Sequence, residues 1–390
     1  MTQCVLVEPQ TPGAAWAPFG GVRPIADLRV GAWRVRDRWA EALGLPITRI
    51  VAAHVEGFHE LDQPPVTRDL TVRGPAVIAA AWFAPRGPVV APAGTERLTH
   101  AGTTVARFVA PGEEVPTGVA LRATGPAVEL DGVTLTGAHS LVAALETLLE
   151  GDCVAAREAD RGSTPDGAII IGDSRSVVSR GAGVEPGVVF DTRNGPIILE
   201  RGSEVRSGTR LEGPCWIGAG ARIVGGFIRA SVIGPMCVVR GEVAGTVFNG
   251  YANKAHDGFV GHSVIGHWVN LGAGTTTSNL KNTYGPVRLA VGDDRIETGR
   301  TFLGSLIGDH AKTAIGTMLG TGTVIGAGAN VFGPGAVPKY VAPFAWGANG
   351  ARMAEDAFLR VAGRVMPRRN VELTSERAES LRATYRRAFP

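Results

Sequence analysis

Three of the eight histidines, His256, His262 and His267, fall in one run, NKAHDGFVGHSVIGHWVNLGAGT, from Asn253 to Thr275. An imidazole with an ordinary pKa of about 6.5 can accept a proton from an attacking nucleophile at neutral pH. As a neutral ring it can instead ligate a metal. An amine that attacks a thioester must lose a proton, so a histidine base suits acyl transfer. The carboxylates of Glu242 and Asp257 are candidates to hold its second nitrogen and fix the tautomer. Backbone N–H groups of Gly272, Ala273 and Gly274 are candidates to meet a developing oxyanion. The following residues carry Asn279, Lys281, Asn282 and Tyr284. An amide there suits a polyol, and an ammonium suits a phosphate.

These residues are positioned by a repeat. Aliphatic side chains recur every sixth position as Leu199, Val205, Leu211, Ile217 and Ile223, and again as Leu319, Ile325, Val331 and Val337. Between those runs the spacing returns as Ile233 and Val239, then Phe259, Ile265 and Leu271. A hexapeptide period is the mark of a parallel β-helix, whose coils turn their aliphatic residues into a prism. Glycine often follows the aliphatic residue, as in Ile217-Gly218, Ile265-Gly266 and Ile325-Gly326, where tight corners need small residues. Between Leu271 and Leu303 the period fails, and function in a repeat protein sits on segments that leave the coil.

The remaining chain gives a three-part division. Residues 1–165 read as an α/β domain, with a strand at Cys4–Val7, helical spacing over Ala32–Leu43, a buried strand at Ala76–Phe83 and a helix at Ser140–Glu150. Residues 166–345 form the β-helix. Residues 346–390 form a helical tail: Ala354–Met366, then Ser375 as an N-cap before Leu381, Tyr385 and Phe389. The tail is expected to cap the last coil or to serve oligomerisation or ligand contact. A formal net charge of +3 gives no argument for nucleic acid or membrane partners. The four cysteines, Cys4, Cys153, Cys215 and Cys237, have neither zinc-site nor disulfide-framework spacing. With no membrane-length apolar run and no signal-peptide pattern at the start, the expected location is the cytoplasm.

The run from Lys254 to Asn279 resembles the acetyltransferase half of the bifunctional N-acetylglucosamine-1-phosphate uridyltransferase/glucosamine-1-phosphate acetyltransferases. There a catalytic His precedes L-G, I-G, V-N-(I/L)-G-A-G-T and an Asn on an inserted loop. Here His256 leads into Val260-Gly261, Ile265-Gly266, Val269 to Thr275 and Asn279, without gaps. The chain is more similar still to a sub-branch with an abbreviated nucleotidyltransferase-like first domain, through RPIADLRVG (Arg23 to Gly31), NKAHDGFVGH, LGAGTTTSNLKNTYG and GDHAKTAIGTMLGTGTVIGAGANVFG. The resemblance implies a left-handed β-helix, a homotrimer with shared sites, and acetyl-CoA as co-substrate. It assigns the base to His256 and the loop position to Asn279. With that assignment Glu242 is the expected orienter, Gly272, Ala273 and Gly274 are expected to meet acyl-CoA, and Asn270, Asn279, Lys254 and Lys281 an amino-sugar 1-phosphate, glucosamine 1-phosphate in the family. It further implies sugar-nucleotide synthesis with UTP and Mg²⁺ on the first domain.

Two departures stand out. The family's sugar-phosphate lysine upstream of the His has no counterpart in GEVAGTVFNG (Gly241 to Gly250). The first domain has VEPQTPGAAWAPFGG (Val7 to Gly21) in place of a glycine-rich phosphate loop. Prolines there remove backbone donors, so Arg23 and Arg29 are expected to carry the nucleotide phosphates. Two other readings compete. The H-x4-H spacing of His262 and His267 resembles γ-type carbonic anhydrases, which hold zinc between subunits. A trimeric scaffold for the first domain is the non-enzymatic alternative.

Overall fold

The computed structural model describes residues 3–160, 162–347 and 351–389. It separates into two compact units, one of residues 1–13, 20–136 and 374–390, the other of 14–19 and 137–373.

The first unit is α/β. Its seven-stranded sheet runs Ala127–Glu129, Arg97–His100, Thr103–Val109, Ala76–Ala80, Gln3–Val7, Ile47–Val51, Val66–Thr67. Gln3–Val7 is parallel to both neighbours, and Thr103–Val109 is antiparallel to both of its own. Ala76–Ala80 is buried throughout, as its unbroken apolar run requires. Helix α1 (Val35–Leu43) ends at Gly44, whose left-handed φ of 63° closes the last turn. It buries Trp39, whose indole N–H donates to Ala80 O at 2.9 Å.

The second unit is a parallel β-helix with three faces. On its first face the inward rungs are Leu199, Ile217, Ile233, Phe248, Ile265, Ile307, Ile325 and Val341. Val205, Ile223, Val239 and Leu271 fill the second face, and Leu211, Ile228, Val243, Val260 and Leu319 the third; all belong to one core. The six-residue reading is therefore right for most of the ladder. Phe259 is a correction: its neighbour Val260 pairs with Val243 and enters the core, while Phe259 pairs with Glu242 on the outside. Val337 is only half-buried against the core. The break in the period holds an antiparallel hairpin, Arg288–Val291 with Asp294–Glu297.

The boundary expected at residue 165 moves for a physical reason. The outer residues of the first face, Ile198, Trp216, Val232, Val247, Val264, Leu306 and Val324, are apolar and buried. Helix α2 (Ser140–Ala159) packs on this face with Leu141, Leu145, Leu148, Leu149 and Cys153 buried. An apolar outer face needs a cover, so α2 belongs to the β-helix.

The expected tail divides similarly. Helix α3 (Glu355–Val365) and the turn Met366–Arg369 form a strap along one corner of the β-helix. Coils along the prism place Met236, Tyr251, Trp268, His310 and Phe344 at that corner with φ between 56° and 62°, and Gly328 takes the storey between the last two. Tyr251 stacks on Trp268 at 4.3 Å and Trp268 on His310 at 6.1 Å. Phe358 of α3 meets His310 at 5.5 Å and Phe344 at 4.9 Å edge-on. Arg369 Nε donates back to Met236 O at 3.0 Å. Helix α4 (Ser375–Arg387) belongs to the first unit, where Ser380 Oγ accepts from His59 N at 3.0 Å. Its N-cap is Thr374, one residue before the expected Ser375.

Candidate active site

His256 is exposed on the turn between the second-face strand Asn253–Lys254 and the third-face strand Phe259–Gly261. The turn of the next coil, Gly272–Gly274, stacks on it through Gly274 N donating to Asp257 O at 3.1 Å. Gly258 permits this approach: a Cβ on its φ of 129° backbone would stand 2.3 Å from Thr275 O.

The same stacking decides which amides are left. Gly272 N donates to Thr313 O at 3.2 Å, Gly274 N to Asp257 O, and Thr275 N to Gly272 O at 3.1 Å. Among the described residues, Ala273 N–H alone of these four has no acceptor, and it sits one coil from His256. A half-exposed residue with an uncommitted N–H is a candidate to meet charge on an acyl oxygen. The outer third face beside this corner presents Glu242, Phe259, Thr276 and Met318. Met318 is 65% exposed and Ile315, on the next turn, 83%.

Several expected roles change. Asp257 is taken by Arg240, whose Nε is 3.0 Å from its carboxylate, and Glu242 stands outward opposite Phe259; among the described residues neither hydrogen-bonds His256. Lys254, expected to meet a phosphate, is 1% exposed. It pairs in register with Val239 and occupies an inward rung of the prism. Its Nζ donates to His256 O at 2.5 Å. Burial pushes its ammonium down to about 8, against a weaker upward pull from Asp257. It therefore holds the His256 turn from inside.

Asn279 is also displaced from the expected grouping. It lies at the far end of the third face, where its amide Nδ2 is 2.8 Å from His262 Nδ1. Phe302 stacks on this ring at 5.4 Å. Burial chiefly holds the imidazole below its ordinary pKa; Arg300 and Arg229 lower it further and Glu146 opposes them. Arg300 is ion-paired with Glu146 of α2. His267 follows the strand Val264–Ile265 that His262 precedes, so the two rings stand at opposite ends of one face. Among the described residues no three His, Cys, Asp or Glu side chains form a metal-ligand group. Asn270 lies on the outer second face, its Oδ1 accepting from Asn253 Nδ2 at 2.9 Å. Lys281 lies on the insert, close enough to Lys339 to lower the latter's pKa alongside burial. The sequence reading missed Arg240, the inward place of Lys254 and the singling out of Ala273. Only Lys254 carried a signal, since Phe248, Lys254 and Val260 keep the six-residue spacing.

In the first unit Arg23 is 2% exposed, paired with Glu60 at 2.6 Å and set over the Phe58 ring at 5.3 Å. Arg29 Nη1 donates to Ala32 O at 2.6 Å. Arg23 is thus committed inside the fold. Beyond the end of Gln3–Val7, buried Glu8 accepts from Ala26 N at 2.9 Å and meets His54 Nε2 at 2.8 Å. His54 Nδ1 accepts from Gly21 N at 3.1 Å. These contacts staple the segment standing in place of a phosphate loop.

Residues 5–156 match the model of a sugar nucleotidyl transferase family. The chain is 41% identical over 96 residues to a bifunctional sugar-1-phosphate nucleotidylyltransferase/acetyltransferase of Sulfurisphaera tokodaii, covering 25% of this chain and 24% of that protein. It is 34% identical over 92 residues to the bifunctional protein GlmU of Methanococcus vannielii, covering 22% of each. It is 33% identical over 150 residues to GlmU of Jannaschia sp., covering 36% of this chain and 32% of that one. The matches thus span between about a fifth and a third of these relatives' length. No helix among the described residues is long and apolar enough to cross a membrane. By these matches the chain is related to the bifunctional sugar-1-phosphate nucleotidylyltransferase/acetyltransferases, with a sugar nucleotidyl transferase domain matched over residues 5–156.

Proposed function

We propose that the β-helix transfers an acetyl group from acetyl-CoA to the amine of an amino-sugar 1-phosphate, glucosamine 1-phosphate being the expected acceptor. One observation carries this reading: an exposed His256 stands one coil below Ala273 N–H, the one amide of the GAG turn without an acceptor among the described residues. His256 takes the proton from the attacking amine, and Ala273 N–H stabilises the oxyanion as the thioester carbonyl becomes tetrahedral. Glu242 on the adjacent face is the remaining carboxylate to orient the ring or the amine. Asn279 and Lys281, on the insert, reach the sugar from a neighbouring copy in a homotrimer. The exposed Ile315 and Met318 beside the corner support a second copy as the missing wall.

The first unit is proposed to act on a sugar 1-phosphate with UTP and Mg²⁺ in sugar-nucleotide synthesis in the cytoplasm, on the strength of the match over residues 5–156. Pyrophosphate release across a panel of sugar 1-phosphates and nucleoside triphosphates tests it.

For the β-helix, His256→Ala should lower acetyl transfer by about 10²- to 10⁴-fold, the usual worth of a general base. His262→Ala should cost less than His256→Ala, because that ring stands on another corner and bears on the sugar only through Asn279. The reverse order of effects, or activity that follows bound zinc, refutes the assignment.

A further inference from the structure

The strap and the outer second face enclose a cleft of about 250 Å³, lined by Asn253, Asn270, Lys312, Arg368, Arg369 and Trp268 among others. Its volume is below the roughly 300–1,000 Å³ of drug-sized pockets, so its occupant is small. Among the described residues the lining contains no carboxylate.

The donors in this cleft exceed the acceptors available to them. Lys312 Nζ gives one hydrogen bond, to His310 O at 2.9 Å, which leaves two of its three donors. Asn270 spends its Oδ1 on Asn253 Nδ2, and its own Nδ2 has no acceptor among the described residues. The Arg368 guanidinium is exposed and has no acceptor among the described residues. Arg369 is fixed by Met236 O at 3.0 Å and Asn253 Oδ1 at 3.3 Å, which orients its guanidinium. Burial chiefly, then Arg368 and Arg222, lower the Arg369 pKa, and burial alone brings Lys312 to about 8. Arg369 is therefore held at a cost of burial and of repulsion from Arg368 and Arg222, against an upward pull from Cys237, and Lys312 at a cost of burial, which a bound anion would relieve.

We propose that the cleft between Val365–Arg369 and the second face binds the phosphate group of a small phosphorylated ligand, through Lys312, Arg368 and the Asn270 amide. The lining does not include His256 or the turn of Gly272, Ala273 and Gly274, and of the residues expected to meet the amino-sugar phosphate it takes only Asn270. Because it joins the strap to two neighbouring coils, an occupied cleft ties the C-terminal segment to the β-helix.

The test is calorimetric titration of the full chain with inorganic phosphate and with glycerol 3-phosphate at constant ionic strength. Each charged donor removed should weaken binding about tenfold, so Arg368→Gln and Lys312→Met are each expected to do so. His256→Ala should bind both probes as the unsubstituted chain does. Equal affinity for the two probes identifies a free-phosphate site, and tighter glycerol 3-phosphate identifies a phosphorylated metabolite. Arg368 is exposed, so Arg368→Gln folds even if Lys312→Met does not, and its result decides alone. Unchanged phosphate affinity in Arg368→Gln, or no binding to the unsubstituted chain, overturns the proposal.

Discussion

Lys254 occupies a rung that the six-residue spacing would give to an aliphatic side chain, and Lys254→Met fills the same volume without the charge. The gap between about 8 and the ordinary 10.5 is a burial penalty. At about 1.4 kcal/mol per pH unit it amounts to about 3 kcal/mol. Methionine forfeits one charged hydrogen bond to His256 O, worth about 1.5 kcal/mol. The variant should therefore be more stable at pH 7 by about 1–2 kcal/mol. The sign with pH is fixed by proton counting. Below pH 8 the lysine is charged in both states and the full penalty applies. From about 8 to 10.5 the unfolded chain binds more protons than the folded one, so the unsubstituted protein gains stability as pH rises. The advantage of methionine should shrink over that window and vanish above it. Activity should move the opposite way. Freed of its internal tether, the His256 turn shifts relative to Ala273, and acetyl transfer should fall about tenfold to a hundredfold. Urea midpoints at pH 7 and pH 10, with acetyl-CoA turnover at pH 7, measure both effects. A variant less stable than the unsubstituted chain at both pH values by the same margin would refute this account of Lys254.

Trp268→Ala should cost about 3–5 kcal/mol, because it removes a side chain only 1% exposed from the middle of the corner stack. Urea denaturation followed by far-UV circular dichroism measures this. Gly258→Ala should both destabilise the β-helix and reduce acetyl transfer, since its Cβ would drive the His256 turn away from Thr275 O; normal turnover in the variant would count against the stacked-turn geometry. Arg23→Met should cost about 1–3 kcal/mol by removing the charged hydrogen bond to Glu60 and the guanidinium over the Phe58 ring, read as a lower melting temperature. An unchanged melting temperature combined with weaker nucleotide binding would return Arg23 to the phosphates.

The prism was legible because its core depends on a fixed spacing, and a period survives even where individual coils vary. The cover on its first face was also written in the chain, as doubled aliphatics such as Val232-Ile233, Val247-Phe248, Val264-Ile265 and Val324-Ile325. When both residues of a pair are apolar, both sides of the strand are dry, which α2 explains. Phe259 was misplaced because corners vary in length, and one residue more or less exchanges inside for outside. Partners were the least legible. That Asp257 goes to Arg240, Arg23 to Glu60 and Asn279 to His262 depends on which residues adjacent coils or loops bring together, and linear spacing does not encode it.

The corner under the strap bears on how such a chain finds one fold. A helix built from a six-residue period has interchangeable storeys, and a slip by one whole coil would still send aliphatics inward. The corner sequence Gly220, Met236, Tyr251, Trp268, His310, Gly328 and Phe344 holds residues of unlike size at one repeated backbone conformation. Their left-handed φ strains each non-glycine backbone by about 1 kcal/mol, a cost that only correct stacking offsets. Threaded one storey out, Phe358 would no longer meet both His310 and Phe344. The corner thus numbers the storeys, and the strap reads that numbering when it docks.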